Sequence, residues 1–365
     1  MTKKNKILIA TGGTGGHVFP AYSLASYFMD QKHNVKLTTD NRGFSFLKDY
    51  KNLHLIKIPS SPLFRKNIFK FCFSFLIILY SIIRSLIFLI FNRPNIVIGM
   101  GGYSSFPICI AAKILKIKFI IYENNLIIGK ANRYLLPFAE RIFVSYKDLE
   151  GIPNIYKYKV SEIGNIIRKE IITSDEKKIK NSNFDVIRIL VLGGSQAAKA
   201  FAEKLPQIFQ RCKDSKISIK IYQQCQKNQN EQLSTFYKNT NIDFELFNFT
   251  NNIIDYFSKA NLVITRSGAS MLGELINFNI PFISVPLPTS ADNHQLKNAI
   301  YYQKKNFGFL IEEKDLNNKL FNLIKSLYED KSQIEKIIVN QSQYSDKNIY
   351  KNIDTQIEKI LDEKN

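Results

Sequence analysis

Apolar runs of strand length alternate with helix-like segments along almost the whole 365-residue chain, and this rhythm restricts the fold more than any other feature. The runs fall at 7–10, 35–39, 53–58, 96–100, 119–122 and 141–145, then at 188–192, 218–222, 244–247, 262–265, 281–285 and 308–311. Short, continuously apolar strands separated by helices indicate parallel sheets covered on both faces. A polar stretch, 173–185, interrupts the series before it restarts. The expected class is therefore α/β with two doubly wound, Rossmann-like domains and a hinge near 164–168. A chain of this length suits two cores better than one. Ligands of such sheets bind beyond the carboxyl ends of the strands.

The turns at those ends carry the chemistry. Thr11-Gly12-Gly13-Thr14-Gly15-Gly16-His17 joins the first strand to a helix. Glycines there let a ligand approach the backbone, and a helix N-terminus favours phosphate or a developing oxyanion. His17 is a candidate general base, its alternative role being to cap the helix. The dinucleotide fingerprint is broken, because Val18 occupies its third glycine position, although Asp40 stands where a ribose-binding acid would sit. No Gly-Lys-Ser/Thr closes a Walker loop. Further turns are Gly101-Gly102-Tyr103, Glu123-Asn124-Asn125, Gly193-Gly194-Ser195-Gln196, Arg266-Ser267-Gly268-Ala269 and Asp292-Asn293-His294-Gln295.

The net charge of +20 points to an acidic partner, such as an anionic membrane, a nucleic acid or a phosphorylated substrate. Cys72, Cys109, Cys212 and Cys225 lack zinc spacing or a disulfide framework, which fits a reducing compartment. The N-terminus leads into a strand, not the apolar core of a secretion signal. The segment Ile68–Phe91 is long enough to span a bilayer. Lys66, Lys70, Ser74, Ser81 and Arg84 fall within about 80° on its helical wheel, as in a helix lying on a surface or packed on a sheet. Two readings stand: a monotopic contact with Arg65, Lys66, Lys70, Arg84 and Arg93 near anionic headgroups, or an ordinary buried helix.

Taken in order, these turns resemble the bacterial MurG family, together with Gly164-Asn165, Arg168 and Asn298-Ala299. The resemblance implies the GT-B glycosyltransferase fold. It implies a first domain at 1–163 that binds acceptor and membrane, a UDP-GlcNAc-binding domain at 164–343, and a segment, 344–365, returning to the first. It also implies inverting transfer of N-acetylglucosamine from UDP-GlcNAc to lipid I, giving lipid II for peptidoglycan. Thr14, Gly15, Gly16, Asn125, Arg168, Ser195, Thr250, Ala269, Glu274 and Gln295 would bind the donor. Arg168 and Ser195 would meet the diphosphate, the Thr250 backbone the uracil, Glu274 the ribose and Gln295 the sugar hydroxyls. His17 would be catalytic.

No Asp-x-Asp pair stands where a metal-dependent transferase needs one, so neither metal nor cofactor is expected. The implied partners are UDP-GlcNAc, lipid I, an anionic membrane surface and other cell-wall synthesis proteins, with no nucleic acid. The implied location is the cytoplasmic face of the bacterial inner membrane. Tyr122, Ala197, Thr250 and Met271 depart from the family pattern; Tyr122 stands where the family has histidine, so no role of that histidine side chain is carried over to it. Alternatives are a related transferase acting on another lipid such as diacylglycerol, a non-enzymatic basic protein binding nucleic acid or membrane, and an NAD enzyme using Asp40.

Overall fold

The computed structural model describes residues 4–50, 52–62, 68–173, 184–248, 250 and 252–363, with the backbone alone for 195–198. Arg65, Lys66 and most of the polar stretch 173–185 lie outside the described residues. The chain divides into two compact units, residues 1–169 with 346–365, and residues 170–345.

The first unit is built on β1 (Lys6–Ala10), β2 (Asn34–Thr39), β3 (Leu55–Lys57), β4 (Ile96–Gly99), β5 (Phe119–Glu123), β6 (Ile142–Val144) and β7 (Val160–Glu162). All pair in parallel in the order β3-β2-β1-β4-β5-β6-β7. β4 and β5 are buried throughout, as expected of strands covered on both faces. Leu8, Val97, Phe119, Ile121 and Ile142 share one core with Ile108 and Ala112 of the helix Ser105–Ile114. β7 has no counterpart among the twelve expected strands. It is three residues long and follows the tyrosine-rich turn Asn154–Lys159, so no apolar run marks it.

The second unit contains β8 (Ile187–Leu192), β9 (Ile219–Gln224), β10 (Asp243–Phe247), β11 (Leu262–Thr265), β12 (Phe282–Ser284) and β13 (Phe309–Leu310). Their order is β10-β9-β8-β11-β12-β13, again parallel. Its core joins Ile189, Val191 and Ile221 of the sheet to Phe201, Leu205 and Ile324 of the covering helices. In both sheets the winding direction reverses once, between β1 and β4 and between β8 and β11. Turns diverge at such a reversal and leave a crevice beyond the strand ends.

The helix Ile68–Phe91 joins β3 to β4, two strands of one sheet. Its described buried residues are Ser74, Ser81, Ser85 and Leu89. Ser74 accepts from Ser61 Oγ (2.9 Å), and Ser81 Oγ donates to Pro59 O (2.7 Å). The polar stripe expected from the sequence is thus split: its serines face the protein, while Lys70 and Arg84 are exposed. Most of the large apolar residues point outward, with Phe69 81%, Phe73 66% and Leu76 61% exposed. The buried-helix reading is therefore corrected, since short serine side chains let this helix lie close to the fold while most of its large side chains, apart from Leu86, Phe88 and Leu89 packed on the core, remain uncovered.

The segment 164–168 belongs to the first unit, so the division falls after Lys169 rather than at 164. Asp346 accepts from Asn165 N (3.0 Å) and Asn165 Nδ2 (3.2 Å), and Tyr146 Oη donates to Asn165 Oδ1 (2.9 Å). The C-terminal helix Ile349–Asp362 docks beside it: Tyr350 Oη donates to Ile167 O (2.6 Å), its ring stacks on Tyr27, and Tyr27 Oη donates to Asp354. Asp346→Ala removes two acceptors from the buried Asn165 and is expected to cost about 1–3 kcal/mol. The check is a lowered urea midpoint at unchanged slope.

Candidate functional site

Both sheet reversals carry the motifs singled out in the sequence. At the first, the chain leaves β1 through Gly13, whose φ of +82° requires glycine, and enters the helix Gly15–Asp30 with Thr14 at its N-cap. The first turn has no acidic residue, and Thr14 makes no side-chain capping bond. The amides of Gly15 and Gly16 therefore begin a helix suited to an anion.

His17 is the third residue of this helix, so it does not fill the N-cap. Its imidazole lies against the turn after β4: a Cβ built on Gly101 would fall 3.1 Å from both Cε1 and Nδ1, and one on Gly102 3.5 Å from Cδ2. Both glycines have positive φ, +85° and +75°. The turn thus needs glycine twice over, for its backbone and for the histidine ring packed on it.

The turn after β5 is organised by a buried carboxylate. Glu123 Oε1 accepts from Asn125 N (3.1 Å) and Asn125 Nδ2 (3.0 Å), while Oε2 accepts from Gly129 N (2.8 Å) and Asn132 Nδ2 (3.0 Å). Asn132 Nδ2 also lies 3.6 Å from the Gly101 Cβ position, on the side of the turn that His17 approaches. Asn124 Nδ2 donates to Gly16 O (3.0 Å), tying this turn to the glycine-rich helix start. Tyr122 is buried. Its hydroxyl bonds Ser145 Oγ (2.8 Å) and accepts from Ile166 N (3.1 Å). Burial pushes its phenol well above the ordinary range, so it stays a neutral structural group where the family pattern has histidine. Arg168 lies with its guanidinium carbon 5.1 Å from the centre of the Phe19 ring, on the helix that bears His17.

In the second unit, Gly193 caps the helix Gly194–Asp214 directly after β8, which puts Ser195 in the first turn. Gly268 caps the helix Ala269–Asn277 after β11, and a Cβ on Gly268 or Gly194 would meet open space. Ala269 and Glu274 are on this second helix. Glu274 is only 5% exposed, so it is not a solvated surface residue. Thr250 follows β10, two strands from β8, and its hydroxyl accepts from Asn252 N (3.0 Å). Gln295 Oε1 accepts from Leu287 N (3.0 Å) and holds the loop after β12.

Some motif residues prove to be scaffolding. Arg266 is buried: it donates to Val285 O and Pro286 O (3.2 Å each), pairs with Glu313 and lies over Phe201. Asn298 Nδ2 donates to Ser267 O (3.0 Å). Glu313 and Asn132 carried no sequence signal, since each is recognised only by the buried partner the fold brings to it, Arg266 and Glu123. Asp40 is not disposed as a ribose ligand. It is buried, and its carboxylate accepts from the turn amides of Gly13 and Gly43.

Gly101→Ala puts a methyl group against the imidazole and forces a left-handed alanine. The expected loss is about 1–2 kcal/mol for the backbone alone. Thermal denaturation reads that loss, and faster modification of His17 by diethyl pyrocarbonate reads the ring's displacement.

Residues 7–144 match the glycosyltransferase family 28 N-terminal domain, and residues 188–355 its C-terminal domain. A protein of Pelagibacter ubique named UDP-N-acetylglucosamine–N-acetylmuramyl-(pentapeptide) pyrophosphoryl-undecaprenol N-acetylglucosamine transferase is 34% identical over 362 residues, which are 98% of this chain and 99% of that one. A Rickettsia felis protein of the same name is 33% identical over 90% of this chain and 94% of its own. Among solved structures, MurG of Acinetobacter baumannii superposes with a TM-score of 0.78 at 22% identity, covering 98% of this chain and all of that one. S. aureus MnaA with UDP gives 0.68 at 16% identity over 98% of this chain and 97% of its own. These two likenesses concern the fold, which is GT-B. With two family domains matched and relatives above 30% identity along nearly its whole length, the chain belongs to the MurG family within glycosyltransferase family 28.

Proposed function

We propose that this protein transfers N-acetylglucosamine from UDP-GlcNAc to lipid I, the undecaprenyl-pyrophosphoryl-MurNAc-pentapeptide, and so makes lipid II for peptidoglycan. The observation that carries this reading is the 33–34% identity, over 90–98% of the chain, to transferases named for the same donor sugar and acceptor. The turns at the carboxyl ends of the strands would supply the chemistry.

In the reaction, a hydroxyl oxygen of the acceptor sugar bonds to the anomeric carbon as the bond to UDP breaks, with inversion. The hydroxyl proton passes to the imidazole of His17, and UDP departs with the electron pair of the broken bond. Positive charge develops at the sugar and negative charge on the diphosphate. The helix start at Ser195, where the N-cap Gly193 has no side chain to occupy the first amides, and the guanidinium of Arg168 would stabilise the departing diphosphate. Glu274 would accept the ribose hydroxyls, Thr250 would meet the uracil through its backbone, and Ala269 would line the nucleotide. Gln295, its oxygen already engaged by Leu287, would read a sugar hydroxyl with its amide N–H. Thr14, Gly15, Gly16 and Asn125 would complete donor and acceptor binding from the first unit.

The outward face of Ile68–Phe91 gives the protein a site for a lipid surface. Fully burying one Phe or Leu side chain is worth about 1.5–3 kcal/mol, so a few residues are enough for peripheral attachment. The exposed Lys70, Arg84 and Arg93 suit anionic headgroups. An acceptor carried on an undecaprenyl chain requires such contact. The reading places the protein on the cytoplasmic face of the inner membrane, where other cell-wall synthesis proteins would be its neighbours.

Transfer of labelled GlcNAc to a lipid I analogue is the test. His17→Ala is expected to lower kcat by about 10²–10⁴, and Glu274→Ala to weaken UDP-GlcNAc binding by about 10–100-fold. A wild type that binds UDP-GlcNAc but glycosylates only diacylglycerol would overturn the acceptor; one that does not bind UDP-GlcNAc would overturn the whole reading. For the membrane, Phe73→Ser with Leu76→Ser should weaken co-sedimentation with phosphatidylglycerol vesicles while transfer to a soluble acceptor analogue persists.

A further inference from the structure

Asp40 ends β2 and caps the short helix Asn41–Leu47, yet it does more than a cap requires. Its Oδ1 accepts from Gly43 N (2.8 Å) in its own turn and from Gly13 N (3.1 Å) in the turn after β1. Its Oδ2 accepts from Ser60 Oγ (3.2 Å) in the turn after β3. Ser60 Oγ in turn lies 3.0 Å from Ser104 Oγ, in the turn after β4. One carboxylate, 6% exposed, thereby joins the turns that follow four adjacent strands, β3-β2-β1-β4.

The packing leaves little slack. A Cβ on Gly12 would fall 2.3 Å from Ser104 Oγ and 2.9 Å from Asp40 Oδ1, so glycine is what lets these turns close. Two of the four turns meet at His17: the turn after β1 starts its helix, and the turn after β4 supplies Gly101 and Gly102 against its ring.

We infer that Asp40 is a positioning residue for the proposed transfer, holding the turns after β1 and β4 in the register that seats the His17 imidazole. The inference rests on the reading of His17 as the general base. The carboxyl is held ionised: burial pushes its pKa up, but the amides of Gly43 and Gly13, the Ser104 hydroxyl and the Arg42 charge bring it below the ordinary carboxylate value. Asp40 touches neither substrate in this scheme and acts only through the backbone that it fixes.

Asp40→Asn tests this, because it weakens the bonds from Gly13 and Gly43 by removing the charge and replaces the Oδ2 acceptor of Ser60 with an N–H donor, which breaks the link to the turns after β3 and β4. The expected results are a fall in kcat of about 10-fold or more, unchanged UDP affinity by calorimetry, and a shifted His17 imidazole resonance, assigned by its disappearance in His17→Gln. Ser104→Ala, which breaks the network at its far end without touching the cap, should shift the same resonance. In the double variant Asp40→Asn/His17→Gln, kcat should be no lower than in His17→Gln alone, since both changes remove one function. A folded Asp40→Asn protein with the His17 resonance unmoved, or losses that multiply in the double variant, would overturn the inference and leave Asp40 a helix cap. If the resonance moves but the wild type transfers nothing to lipid I, positioning stands and the reaction reading fails.

Discussion

Parallel pairing is the constraint on which everything else in this protein depends. Parallel neighbours must be joined by crossovers, so every strand of a sheet ends on the same side and every carboxyl-end turn gathers at one edge. The order of winding then selects among those turns. In the first unit the reversal between β1 and β4 brings together Gly13, His17, Gly101 and Gly102; in the second, that between β8 and β11 brings together Gly193, Ser195, Gly268 and Ala269. Residues about ninety positions apart in the chain meet because their strands are hydrogen-bonded neighbours.

Such an edge has a cost in unpaired backbone groups, and the protein meets it with buried side chains that accept from or donate to turns. Asp40 and Glu123 each collect several N–H donors, Arg266 collects carbonyls, and Asn165 and Asp346 hold the crossing segments. A buried carboxylate is tolerated where such donors replace water. This is why polar residues concentrate at the strand ends while the strands remain apolar.

Serine allows the opposite arrangement on the helix Ile68–Phe91. Its three buried serines bond to the neighbouring turn or to the helix backbone itself, and Leu86, Phe88 and Leu89 near its C-terminal end pack on the core, so the inward face needs few of the helix's large side chains. The bulky residues are left outward, where water is a poor solvent for them and lipid a good one. A wheel of residue polarity marks the stripe but carries no sign: it does not say whether serines face protein or solvent.

Much of the molecule was legible in the residues themselves. Twelve of the thirteen strands among the described residues announce themselves as apolar runs, and the glycine-rich turns at their ends follow from backbone geometry that other residues rarely adopt. The sequence by itself therefore determined the two parallel sheets, the placement of turn motifs at their carboxyl ends and the resemblance to a sugar-nucleotide transferase family. Tertiary structure alone decided which polar residues serve the fold. Asp40 looks like a ribose ligand until its oxygens are seen to be spent on neighbouring turns; Glu274 looks like a surface glutamate until it is found buried; β7 is too short to be seen before β6 is there to pair with it. The reason is physical: backbone preference and hydrophobic periodicity act between near neighbours in the chain, whereas the partner of a buried polar atom is chosen by strand order, which brings distant residues within hydrogen-bond reach.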